Sequence, residues 1–115
     1  VMAMLECYEP SMVAFRILER VADGFMTVDE DVAPEVMRRL ASPVAGDPTV
    51  VAGESGGAGL AGVLTVLRDP ELAATIGLGR EARVLVINTE GATDPALYEK
   101  IVGRSPEAVL NGTAA

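Results

Sequence analysis

The chain has no histidine and no tryptophan, a single cysteine, and two tyrosines and two phenylalanines among its 115 residues. Without histidine nothing here can serve a serine nucleophile as the usual base, so a Ser-His-Asp triad is impossible within these residues. The same absence, with one cysteine, removes the usual nitrogen and sulfur ligands of zinc, and the scattered carboxylates lack a calcium-loop spacing and read as solvated acids. One cysteine also excludes an internal disulfide framework, and Cys7 is expected to be a small buried residue. No positively charged leader precedes the first helix, so the cytoplasm is the expected compartment. The chain opens inside the apolar stretch Val1-Met2-Ala3-Met4-Leu5, as though it began mid-protein.

Basic residues are scarce as well: nine against seventeen acidic ones, for a net charge of −8. Such a chain repels phosphate backbones and offers no basic stripe to nucleic acid or anionic lipid. The longest uncharged run, from Thr49 toward Leu67, is interrupted by Glu54 and crowded with glycine, which excludes a membrane-spanning helix there. What is present is apolar, half of all residues, with a mean hydropathy of +0.33. A short domain has much surface to cover with polar groups, so part of this apolar surface is expected to face a partner.

Helical spacing marks Pro10 to Ala22, with Ala14, Ile17, Leu18 and Val21 on one face and Gly24 as its closing residue. A β-prone stretch, Phe25 to Val28, leads to a second helix from near Asp29, with Pro34 in its early turns, burying Val32, Val36 and Leu40 and ending at Pro43 and Gly46. Thr49 to Ala52 reads as a strand, followed by the glycine-rich turn Gly53 to Gly59 and a helix carrying Leu60, Val63, Leu64 and Leu67. A short helix spans Pro70 to Ile76 between Asp69 and Gly77. Val84-Leu85-Val86-Ile87 then suits a parallel strand covered on both faces. Asp94-Pro95 caps a last helix with Leu97, Tyr98, Ile101 and Val102, ended by Gly103. The expected fold class is α/β: a single segment over 1–115, part of an open, mostly parallel sheet flanked by helices, with a flexible tail over 104–115. Two short strands do not make a stable sheet alone, which implies further chain.

Three patterns overlap in the glycine-rich turn. Gly53-Glu54-Ser55-Gly56-Gly57 fits the nucleophile elbow of serine hydrolases, with Ser55 as nucleophile, but lacks a base. Gly57-Ala58-Gly59-Leu60-Ala61-Gly62 fits a dinucleotide fingerprint, although Val84 to Ile87 ends in Asn88-Thr89 rather than in the expected ribose-binding acid. The plainest reading is that the glycines permit a sharp turn and close packing of helix on strand. That accounts for the glycines but not for Glu54 and Ser55, which end one strand as Thr89 ends the other. Two polar turns at one edge of a parallel sheet make a plausible cofactor wall. Lys100, the one lysine, falls on the polar side of the last helix and reads as a surface ion-pairing residue rather than as a Schiff-base lysine.

Cys7-Tyr8-Glu9-Pro10, Gly53-Glu54-Ser55-Gly56 with its apolar helix, and above all the run from Val84 through Asn88-Thr89-Glu90-Gly91 to Asp94 resemble the diaminopropionate ammonia-lyases. These belong to the tryptophan-synthase-β-like, fold-type II pyridoxal-phosphate enzymes. The resemblance covers most of the chain and implies its place in the C-terminal part of such an enzyme. It implies α,β-elimination of 2,3-diaminopropionate to pyruvate and ammonia, in a homodimer of the complete enzyme. It puts the Thr89 hydroxyl against the cofactor's pyridine nitrogen, with Asn88 as the alternative if the turn is shifted by one residue, and Glu54 and Ser55 on the cofactor side of their turn. The family's Schiff-base lysine, phosphate-cradling loop and catalytic acids have no counterpart in these residues, so the isolated chain is expected to be inactive. A non-catalytic, self-associating fragment is the alternative, and a dinucleotide-binding module remains open behind it.

Overall fold

The computed structural model describes residues 2–112. A single 3-10 turn, Ala3–Leu5, precedes six helices among the described residues: α1 Met12–Val21, α2 Val32–Ala41, α3 Ala58–Leu67, α4 Pro70–Thr75, α5 Pro95–Val102 and α6 Pro106–Leu110. Local chemistry sets most of their ends. Ser11, Asp69, Asp94 and Ser105 each accept backbone N–H groups of the first turn, and Pro70, Pro95 and Pro106 follow three of them, where a missing N–H costs nothing. Gly103 closes α5 at φ 85°, and Gly77 follows α4 at φ 72°, both in the left-handed region that glycine enters without a Cβ clash. Gly24 does not close α1: that helix stops at Val21, and Gly24 is not among the left-handed glycines.

α2 is the central element, because it is apolar on two sides. Val32 and Val36 meet Ala61 of α3, with Leu40, Leu60 and Leu64 partly buried around them. Met37 and Ala41 meet Tyr98 of α5 and Val109 of α6. Gly57 permits the first contact, since a Cβ there would lie 2.8 Å from Val36 Cγ1. The C-terminal end of α2 is held by Arg104, whose guanidinium donates to the Ala41 carbonyl and, at 2.9 Å, to Ser42 Oγ.

Three expectations need correcting. No strand forms among the described residues. Thr49 to Ala52 and Val84 to Ile87 run on without a hydrogen-bonded ladder, and Val84, Leu85, Val86 and Ile87 are all exposed. Their parallel sense survives, because Gly53 N donates to Glu90 O (3.0 Å) and Asn88 Nδ2 to Val51 O (3.1 Å), both pairs 37 residues apart. A sheet needs further strands on either side, and the described residues hold none. Cys7 is exposed rather than buried, in a stretch before α1 whose residues from Leu5 to Pro10 are all exposed. Within the expected flexible tail, Pro106–Leu110 is helical with Pro106 and Val109 buried, Val109 against Met37, Ala41 and Tyr98; residues 113–115 of that tail lie outside the described residues.

α1 is helical as expected, yet it buries none of its residues. The radius of gyration, 15.5 Å, exceeds the roughly 13 Å of a compact domain of this length. Amphipathic sequence has here produced a helix whose apolar face lacks cover.

Candidate functional site

The two glycine-bearing turns singled out in the sequence meet. From the first, the backbone amide of Ser55 donates to Glu90 Oε2 at 3.2 Å, and the amide of Gly53 donates to the Glu90 carbonyl at 3.0 Å. From the second, the Thr93 hydroxyl donates to Glu90 Oε1 at 2.6 Å. Glu90 therefore braces both turns, one with each carboxylate oxygen.

The approach is close enough to require glycine at two positions. A Cβ on Gly56 would fall inside van der Waals contact of Asn88 Oδ1 and the Glu90 carbonyl, and one on Gly53 inside that of the Gly91 carbonyl. The glycine pattern thus serves backbone approach between the two turns.

Ser55 is the one buried polar residue among the described residues, 4% exposed, and Glu54 beside it is half-buried. Asn88 and Thr89 are exposed. Successive side chains of an extended segment point to opposite sides. Asn88 and Glu90 both reach the first turn, so Thr89 between them points away from it. No protein group among the described residues bonds its hydroxyl. The structure thus brings the turn that carries Ser55 onto Asn88 and Glu90, shows no bond of the Glu54 side chain to either, and leaves Thr89 on the free side.

Glu90 and Thr93 were given no part by the sequence patterns. The available signal was the alternation Asn88-Thr89-Glu90, which puts a carboxylate in phase with Asn88, together with a hydroxyl three residues on. Lys100 is exposed on α5 and forms no ion pair among the described residues. Among the described residues no cluster of three or more metal-ligating side chains occurs, and no helix is long and apolar enough to cross a membrane.

An apolar groove of about 690 Å³ opens between α3 and the run 84–87, lined by Met26, Gly59, Val63, Val84 and Val86. It lacks the convergent polar groups of a small-molecule site, and the candidate site is the junction of the two turns.

No protein-family model matches the chain. Its fold matches a segment of solved pyridoxal-phosphate lyase structures. One of them, in complex with an aminoacrylate-PLP azomethine intermediate, superimposes with a TM-score of 0.80 at 38% identity, over 89% of this chain and 27% of that one. These structures are of diaminopropionate ammonia-lyase from Escherichia coli; a second, in complex with D-serine, also gives 0.80 over 95% of this chain and 29% of that one. In sequence the chain is 38% identical to the Escherichia coli enzyme over 112 residues, and 36% identical to the Salmonella typhimurium enzyme over 111. It covers 28% of the length of these relatives. The resemblance to diaminopropionate ammonia-lyase thus holds along 95% of the chain, which corresponds to a part of that enzyme.

Proposed function

We propose that the chain works as part of a pyridoxal-phosphate-dependent ammonia-lyase that converts 2,3-diaminopropionate, with water, to pyruvate and two molecules of ammonia by α,β-elimination. The observation that carries this reading is the convergence of Gly53–Gly56 on Asn88–Thr93 with the Thr89 hydroxyl left free, in a chain 38% identical to such an enzyme. The residues fit the cofactor at that point, since an exposed, unengaged hydroxyl beside a braced turn is ready to take a hydrogen-bond partner.

When bound, pyridoxal phosphate supplies an electron sink for the carbanion left at the substrate's α-carbon. Thr89 would hold the pyridine nitrogen through its hydroxyl, which is too weak an acid to transfer its proton, and so would moderate how strongly the ring withdraws electrons. Asn88 is the weaker candidate, because its amide nitrogen already donates to the Val51 carbonyl. Glu54 and Ser55 belong to the opposing turn, which holds the segment carrying Thr89 in place. The Schiff-base lysine, the phosphate loop and the catalytic acids come from the remainder of the enzyme, and Lys100 stands exposed on α5. That remainder also supplies the strands that turn 49–52 and 84–87 into part of an open, mostly parallel sheet. The complete enzyme is a cytoplasmic homodimer without nucleic-acid or membrane partners.

The test is co-expression of the chain with the remaining portion of the Escherichia coli relative, read by pyruvate release. Activity is expected to appear, and Thr89→Ala to shift the cofactor's absorption and lower turnover. An unchanged spectrum and turnover in that variant would sink the Thr89 assignment.

A second reading, a non-catalytic fragment that self-associates, is favoured by α1, which buries nothing. It predicts concentration-dependent sedimentation of the chain and no pyruvate on co-expression.

A further inference from the structure

Thr89 owes its orientation to its neighbours. Asn88 is anchored to the Val51 carbonyl, and Glu90 spans the Ser55 amide and the Thr93 hydroxyl while its own carbonyl takes the Gly53 amide. With both flanking residues held to one side, the alternation of an extended segment puts Thr89 on the other. Three of these four contacts pass through Glu90. A charged acceptor shared by a buried-turn amide and a hydroxyl is stronger than a neutral one. Removing it leaves the Ser55 amide, in a turn whose serine is 4% exposed, without its partner.

Resting on the cofactor reading above, we infer that Glu90 is a positioning residue: its carboxylate locks the turn Asn88–Thr93 onto the turn Gly53–Ser55 and thereby aims the Thr89 hydroxyl at the ring nitrogen. It does not touch the cofactor. Thr93 belongs to the same device, because its hydroxyl fixes the second carboxylate oxygen and with it the rotamer of Glu90.

Two readouts test this. In the chain itself, amide hydrogen exchange at Ser55 is expected to accelerate on the order of tenfold in Glu90→Ala, since a hydrogen bond to a charged group is lost. Thr93→Val, which removes only the hydroxyl, gives a smaller acceleration and guards against a folding failure in the first variant. Glu90→Gln retains most of the protection, because its amide offers an acceptor to Ser55 and a donor to Thr93 Oγ1. In the co-expressed enzyme, Glu90→Ala is expected to shift the cofactor's absorption in the direction of Thr89→Ala, and the double variant to add nothing beyond Thr89→Ala alone. A Glu90→Ala spectrum like that of the parent, where Thr89→Ala is shifted, overturns the inference and leaves the cofactor reading standing. A silent Thr89→Ala overturns both. Unchanged Ser55 exchange in Glu90→Ala overturns the clamp itself.

Discussion

The amide of Ser55 donates to Glu90 Oε2 at 3.2 Å across 35 positions of sequence, and Thr93 holds the other oxygen of the same carboxylate at 2.6 Å. This contact joins two turns that the sequence marks separately, each by its glycines. It also explains why those glycines are needed, because the backbones approach too closely for a side chain at Gly53 or Gly56.

Gly56→Ala and Gly53→Ala should each destabilise the chain by about 1–3 kcal/mol, the cost of overpacking against backbone that has no room to move. Gly24→Ala, at a position with nothing within 4 Å of its Cβ, should stay within about 0.5 kcal/mol of the parent. Urea unfolding of the three variants checks this, and equal midpoints would mean that the two turns do not meet.

Tyr98 is 1% exposed, and its hydroxyl has no hydrogen-bond partner among the described residues. Burial raises its pKa, and the charge of Arg104 offsets part of that rise. The folded value lies above the unfolded one, so the related stability is intact below the unfolded tyrosine pKa of about 10 and lost as pH rises through the folded value. Tyr98→Phe should therefore be neutral or stabilising by about 1 kcal/mol at neutral pH, since it deletes an unpaired buried hydroxyl. It should also flatten the alkaline limb of stability. A clear loss at neutral pH would show that the hydroxyl has a partner after all.

Glu35 accepts from Arg68 and, at 2.9 Å, from Arg39 on the next turn of α2. The Arg68 hydrogen bond first, and that of Arg39 second, hold its carboxyl below the ordinary range. The sign follows: this stabilisation is present above the unfolded glutamate pKa and disappears as pH falls through the lower folded value. Glu35→Gln should cost stability at neutral pH, nothing at strongly acid pH, and less in high salt, because the pair faces solvent. Urea midpoints over pH and salt read all three.

Met37→Ala should cost about 2–5 kcal/mol, since Met37 fills the junction of α2, α5 and α6 at 1% exposure. Leu18→Ala on the uncovered face of α1 should change the unfolding midpoint of the dilute chain hardly at all. A cost at Leu18 that grows with protein concentration would identify self-association through that face.

By itself the sequence determined what depends on neighbours along the chain. Ser11, Asp69 and Asp94 cap their helices because a short polar side chain reaches only its own first turn, and Gly103 ends α5 because only glycine takes that backbone turn without strain. The resemblance to the lyases was equally legible, being carried by short runs around Gly53 and Asn88.

Tertiary structure alone decided what depends on residues far apart. The apolar period of α1 predicts a buried face, but burial requires an opposing surface, and its apolar residues remain exposed. The β-branched run Val84 to Ile87 favours an extended backbone, yet a strand exists only through hydrogen bonds to a neighbour, and one bond between Gly53 and Glu90 does not make a sheet. Residues 106–110 carry no long periodic pattern, and they fold because Val109 finds Met37 and Tyr98. Glu90 looked like one more solvated acid until the fold brought the Ser55 amide to it. A carboxylate's partner 35 residues away is set by packing, and no local rule of sequence encodes it.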